Sequence, residues 1–268
     1  MVPTVDFCGI PVTRLVIGAN PFGGFSHQSQ DRDAAMRAYY TPRRILETWD
    51  RAWRAGINTM VTNNETPHVM EAVEQYLGAG GRLSWIAQVS HRSYPTMEAA
   101  IDRCVSLGCR AMYFHGALVD GLYDARDSAT LRRWVTHARR SGVPIGVAGH
   151  APQVHDWVAG LGLVDFHVVC FFNCGSLHAG RGSTFRLADV EPAVECIQRL
   201  RAPCIAYKVM GAGRIDPRMA LEYALTHIKG TDVVNVGMYR GDKDGMVEEN
   251  VATVEALLTQ LSAAAPVR

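Results

Sequence analysis

The sequence has no surplus of charge of either sign: 27 basic residues stand against 26 acidic ones, a formal net charge of +1. A surface for nucleic acid or an anionic membrane needs an excess of basic side chains, so neither partner is expected. No run approaches the roughly 18 apolar residues that span a bilayer. The opening residues, MVPTVDFCGI, lack the basic and apolar regions of a secretory signal. CxxC spacing is missing as well. The seven cysteines, an odd number, are scattered over positions 8, 104, 109, 170, 174, 196 and 204, which argues against a disulfide scaffold or zinc ribbon and for a reducing, cytoplasmic setting. Cys170 and Cys174 in CFFNC would lie roughly 13 Å apart on an extended strand, too far for one ion, so both read as core. No Ser/Gly-rich linker divides the chain, so residues 1–268 read as one domain.

What is present is a rhythm. Short runs rich in Val, Ile and aromatics alternate with amphipathic segments about every 30 residues, the pattern of βα units around a parallel sheet. Strands are expected at 15–19, 59–62, 85–89, 111–115, 145–148, 166–172, 204–209 and 233–236. Helices such as ILETWDRAWRAG and PAVECIQRLRAP lie between them, ending in Gly or running into Pro. Eight such units close a (β/α)8 barrel, which about 250 residues commonly build, here preceded by a short N-terminal hairpin. The last helix is expected over 243–261. The connections after strands 1, 4 and 6 are long (20–40, 116–128 and 173–188) and rich in Gly, Asp, Ser and His. In such barrels the strand-to-helix loops carry the active site.

Six segments, in order across residues 5–260, resemble the aldo-keto reductase superfamily of NADPH-dependent (β/α)8 carbonyl reductases: VTRLVIGANPFGG, AGINTMVTNNE, MYFHG, PIGVAGHAP, IAYKVMGAGR and VVNVGMYRGDKDGMVEENV. The resemblance implies a catalytic Asp, Tyr, Lys and His. Carried over residue by residue, these positions hold Val61, Thr66 or a neighbour in the NNET stretch, Val89 and His115, so only the histidine survives. A threonine hydroxyl is far less acidic than a phenol, and a valine lowers no pKa by its charge. The pair that would hold a nicotinamide carboxamide reads Ala148-Gly149. Tyr207 matches the position whose ring stacks on the nicotinamide.

Three strands in succession end in histidine, at His91, His115 and His150. Side chains alternate along a strand. If Val89, His115 and Ala148 face inward, the three imidazoles converge above the barrel mouth. Three imidazoles with Glu65 or His68 nearby would suit a divalent metal; without one, they suit acid–base work near neutral pH. Lys208 ends its strand and reads as a catalytic or anchoring ammonium, with Tyr207 beside it. The GAGR turn with Arg214, and Arg240 before the last helix, stand where barrels bind anions. Asn20, Asn63, Asn64, Gln88 and Asn173 place neutral amides at strand ends, which suits a sugar-like or polyol ligand.

These residues point to a lyase or isomerase that moves a proton next to a carbonyl of a small polar substrate. His115 is the expected principal acid–base, with His91 and His150 assisting or binding a metal. The alternatives are an NADP-dependent oxidoreductase with His115 as lone proton donor, and a non-catalytic ligand-binding barrel. A homo-oligomer is left open.

Overall fold

The structure is a computed structural model that describes residues 1–172 and 185–264. It opens with an antiparallel hairpin, β1 (Thr4–Phe7) and β2 (Ile10–Thr13). The two turn residues, Cys8 and Gly9, have φ of 56° and 83°, the left-handed pair that a two-residue hairpin turn requires. Asp6 Oδ1 accepts the Gly9 N–H at 2.6 Å and fixes that turn.

All eight expected barrel strands form: β3 (Leu15–Gly18), β4 (Thr59–Asn63), β5 (Ser84–Val89), β6 (Ala111–Phe114), β7 (Ile145–Gly149), β8 (Phe166–Cys170), β9 (Cys204–Tyr207) and β10 (Val233–Gly237). They pair in parallel in chain order, and β10 closes on β3 with Val234 opposite Leu15. The inner faces supply Val61, Ile86, Tyr113, Phe166, Val168 and Ile205 to one apolar cluster. The hairpin plugs its lower end. Phe7 and Val12 are fully buried in that cluster, and the Phe7 ring meets Phe166 edge-on at 5.2 Å. The plug is tied below the strands: Thr13 N–H donates to Asn58 Oδ1, just before β4, and Cys8 Sγ donates to the Asp165 carbonyl, just before β8. The barrel interior is thereby closed at its N-terminal end.

The helices are α1 (Asn20–Gly23), α2 (Gln30–Tyr39), α3 (Pro42–Ala55), α4 (Pro67–Gly78), α5 (Met97–Ser106), α6 (Gly116–Asp124), α7 (Ser128–Ala138), α8 (Pro152–Leu161), α9 (Val190–Arg199), α10 (Pro217–His227) and α11 (Met246–Ala264). Their starts follow the sequence. Thr41 Oγ1 accepts the Arg44 N–H with Pro42 at the first turn of α3, and Asp216 does the same for Met219 in α10. Gly56 ends α3 in the left-handed region. Among the described residues no helix is long and apolar enough to cross a membrane.

Two of the three long connections are not loops. The first folds into α1 and α2 and the second is α6, capped by the His115 side chain and continuous with the end of β6. The third falls mainly on residues 173–184, outside those described, together with Asn173 and Cys174. Two strands also end early. β8 stops at Cys170, and β9 stops at Tyr207 because Lys208 takes φ of 60° and leaves the extended region.

Candidate active site

The strand registers decide which side chains reach the mouth. On β7, Ala148 belongs to the inner cluster, so His150, two residues on, rises on the same side one layer higher. His150 is only 8% exposed. Its Nδ1 lies 2.6 Å from Asp120 Oδ2, and its backbone N–H donates to Asp120 Oδ1 at 3.2 Å. An ionised carboxylate can only accept, so Nδ1 carries a proton, and in the neutral form of the ring Nε2 holds the lone pair. Asp120 comes from α6, whose first residue, Gly116, has no side chain to keep the imidazole away. A Cβ there would lie 3.0 Å from His150 Cε1.

On β6 the same alternation brings Tyr113 inward and His115 above it. His115 Nδ1 accepts the Ala117 N–H at 3.1 Å and caps α6. In its neutral form that ring therefore carries its proton on Nε2. The two histidines thus hold opposite tautomers, one fixed as acceptor and one as donor. Tyr113 is no rival acid: burial pushes its phenol up, and its hydroxyl donates to Gln88 Oε1 at 3.2 Å.

β9 adds Tyr207 and Lys208. The Tyr207 ring packs on the inner cluster 6.3 Å from the His150 ring, with its hydroxyl 3.5 Å from the Gly149 carbonyl. Strict alternation would turn Lys208 outward. Its positive φ breaks that alternation and sets Nζ 5.5 Å from the centre of the Tyr207 ring. A non-glycine residue pays about 1–2 kcal/mol for this conformation, a strain that accumulates at functional sites.

His91 does not join them. On β5 the inward residues are Ile86 and Gln88; Trp85, Ala87 and Val89 pack under the helices. His91 shares the outward parity of Val89, and its ring lies 5.9 Å from that of Trp134 on α7. The expected convergence of three imidazoles is thus corrected by one residue of register. Replacing His91 with Phe is expected to keep the wild-type rate in the exchange assay set out below, because the ring fills a space between α7 and the sheet. The metal set falls with it. Among the described residues no three His, Cys, Asp or Glu side chains are grouped to hold an ion. His68 donates from Nε2 to the Phe22 carbonyl at 2.7 Å, and Glu65 keeps one buried carboxylate oxygen without a hydrogen-bond partner.

Most of the amides are structural. Asn63 Oδ1 accepts the Glu65 and Thr66 N–H groups. Asn64 faces outward and exchanges two hydrogen bonds with the Ser90 backbone. Gln88 is held by Tyr113, and Asn20 is exposed at the start of α1. Arg240 is withdrawn from the mouth: it is buried, donates to Thr48 on α3 and pairs with Asp244. Arg214 stays at the rim, donating to the His27 carbonyl at 2.8 Å, with its guanidinium 4.3 Å from the Phe185 ring centre. In the GAGR turn, however, the Gly211 N–H donates to the Lys208 carbonyl, and those of Gly213, Arg214 and Ile215 to Met210. These N–H groups are not available as a phosphate cradle.

The sequence reading missed Asp120, His27 and Asn235. Asp120 was hidden because α6 reads as loop; placed on a helix that begins at Gly116, it falls one turn above the mouth. His27 lies in the first connection with φ of 56°. Burial first, then the charges of Lys208, His150 and Arg214, push its imidazole down to about 3, so it is neutral. Asn235 follows Val233 inward on β10, its buried Oδ1 unpartnered and so close to Gly18 that a Cβ there would lie 2.5 Å away.

No family model matches the chain, and no curated protein is similar to it. Solved structures are similar in fold. A candidate aldo-keto reductase from Pseudomonas aeruginosa superposes with a TM-score of 0.65 at 17% identity, over 96% of this chain and 94% of that one. Yersinia pestis dihydropteroate synthase gives 0.56 at 12% identity, over 98% and 100%. An aldolase, QR15, gives 0.52 at 9% identity, over 84% and 92%. The chain therefore has a closed (β/α)8 barrel like that of the aldo-keto reductases, with Asp120–His150 and Tyr207–Lys208 at the end where such barrels do chemistry.

Proposed function

We propose that this barrel is an enzyme of the lyase or isomerase class that moves a proton on the carbon next to a carbonyl of a small polar substrate. The observation that carries this reading is the 2.6 Å contact between Asp120 and His150, which fixes an imidazole with its lone pair on Nε2. That nitrogen takes the proton from the substrate carbon. Electron density moves onto the carbonyl oxygen, where the Lys208 ammonium or the Tyr207 hydroxyl stabilises the enolate. His115, with its proton on Nε2, acts as the acid that completes an isomerisation or assists a leaving group. The solved structures similar in fold, named as a reductase, a synthase and an aldolase, support an enzyme in the broad sense. The engaged N–H groups of the GAGR turn weigh against NADP, whose phosphates would need them.

The test is deuterium incorporation from D2O into a panel of small α-hydroxy ketones and α-keto acids, read by mass spectrometry. Enzyme-dependent labelling beside the carbonyl is expected. Hydride turnover with NADPH and no labelling of any compound would overturn the reading. In the same assay Lys208→Gly separates the charge from the backbone. Glycine accepts φ of 60° without strain, so the melting temperature should not fall, while the exchange rate drops by about 10²-fold with loss of the ammonium.

A further inference from the structure

Two carboxamides of the inner wall are engaged in the fold. Asn63 Oδ1 accepts from Glu65 and Thr66, and Gln88 Oε1 accepts from Tyr113. Asn235 on β10 differs from both. It follows Val233 inward, and its Oδ1 is buried without a hydrogen-bond partner. An unpaired buried carbonyl is destabilising, and an apolar residue on this strand face would avoid it. The neighbours on the same face do not explain the choice. Val16 and Gly18 on β3 and Val233 below have no side-chain donor, and the Tyr207 hydroxyl is directed to the Gly149 carbonyl.

The orientation of the carboxamide is defined. A Cβ at Gly18 would lie 2.5 Å from Asn235 Oδ1 and 3.3 Å from its Cγ, so the oxygen is turned toward β3 and the amide nitrogen away from it. Asn235 is only half-buried. The hairpin closes the barrel below, so the exposed remainder of the side chain opens on the mouth. On its other side Asn235 stands in register with Tyr207, one strand spacing of about 4.8 Å away. The Tyr207 ring is in turn 6.3 Å from that of His150.

We propose that Asn235 is a specificity-determining residue whose Nδ2 donates to a hydroxyl of the substrate, and that the substrate is an uncharged hydroxy ketone. Glycine at position 18 lets the carboxamide lie against β3 with its nitrogen in the mouth. The inference rests on the proton-transfer reading for the reacting carbonyl, but not for the hydroxyl contact. An uncharged oxygen is favoured because Val16, Gly18, Val233 and Tyr207, the inner-face neighbours, bring no charge to offset an anion. An α-hydroxy ketone carries its hydroxyl on the carbon beside the carbonyl. The hydroxyl therefore meets Asn235 while the carbonyl lies by Tyr207, one strand nearer His150.

The experiment is an NMR titration of the protein with hydroxyacetone and with butanone, in which a methyl group replaces the hydroxyl. Hydroxyacetone is expected to bind about fivefold to tenfold more tightly, the effect of one neutral hydrogen bond. Asn235→Leu nearly keeps the shape of the side chain and removes both polar atoms. It should bind hydroxyacetone as weakly as butanone and keep its affinity for butanone. Its melting temperature should hold or rise, since Oδ1 has no partner to lose. Asn235→Ala, which adds no bulk, should lose the same discrimination if leucine disturbs the wall. Equal affinity of the wild type for the two ketones, or discrimination kept in both variants, would overturn the subsite. So would an equal fall for both ketones in both variants, since the carboxamide would then only shape the wall. Pyruvate binding tighter than hydroxyacetone and weakened by Asn235→Leu would overturn it too, by making the bound group an anion. His150→Gln separates the two readings, because it should keep the discrimination and lose deuterium exchange. Discrimination in the wild type without exchange in any compound overturns the proton-transfer reading and supports the hydroxyl subsite.

Discussion

Replacing His150 with Gln is expected to slow deuterium exchange by about 10²–10⁴-fold, the range typical for loss of a positioned general base. Glutamine can keep a hydrogen bond to Asp120 but offers no basic lone pair to the substrate. The more discriminating change is Asp120→Asn. It is nearly isosteric and leaves α6 and its packing in place, yet its amide can present N–H to His150 Nδ1. That would favour the tautomer with the proton on Nε2, and the nitrogen facing the substrate would change from acceptor to donor. Exchange should therefore fall by a similar order while substrate affinity and melting temperature hold. If Asp120→Asn exchanged at the wild-type rate, the 2.6 Å contact would be structural, and His150 would lose its role as base. His115→Gln supplies the comparison. It removes the Nε2 donor and the cap of α6 together, so a fall in stability should accompany its fall in rate.

The strands were legible because a buried parallel sheet leaves a strong mark: runs of Val, Ile and aromatics between capped helices, repeated eight times. The site was legible only where strand parity held. His150 follows from Ala148 and His115 from Tyr113, but His91 was assigned to the mouth by taking Val89 as inward. On β5 it is Gln88 that faces Tyr113, and one residue of slip moves a side chain to the other face. Lys208 shows the opposite failure. Alternation turns it out, and only a positive φ, which no side-chain pattern encodes for lysine, turns it back. Asp120 was lost for a third reason. GALVDGLYD begins with glycine and carries a second one, so helix propensity is weak, and the cap that starts α6 is a histidine side chain that no usual capping rule would choose. The aldo-keto reductase resemblance located the histidine of β6 but not the acid that lies on the helix after it.

Stability is expected to fall steadily as the pH drops below about 6.5, well before the surface ion pairs titrate. The cause lies behind the site, where His155 on α8 and His167 on β8 are both buried, their Nδ1 atoms 3.1 Å apart. His155 Nε2 donates to the Gly149 carbonyl, so its Nδ1 accepts from His167 and both rings are neutral. Burial lowers His155 to about 4; burial, then the charge of His155 and that of Lys229, lowers His167 to about 3. Unfolded, both rings titrate near 6.5. Between that value and the folded ones the unfolded chain binds more protons, so stability rises with pH across the window and is lost on acidification. The slope is about 1.4 kcal/mol per pH unit for each ring, giving a loss on the order of 3–5 kcal/mol by pH 4.5. His27, lowered in the same direction, adds to it, while Asp232, raised by burial, works against it nearer pH 4. Urea unfolding from pH 8 to 4.5 would show the slope directly. The double variant His155→Leu/His167→Leu removes both rings at once and leaves no unpaired nitrogen, so its stability should flatten with pH whatever its value at pH 8. A wild-type curve flat from 6.5 to 4.5 would show that these rings are protonated in the fold, where two donors could not share the 3.1 Å contact between their Nδ1 atoms; a double variant with an unchanged slope would show that the slope has another source.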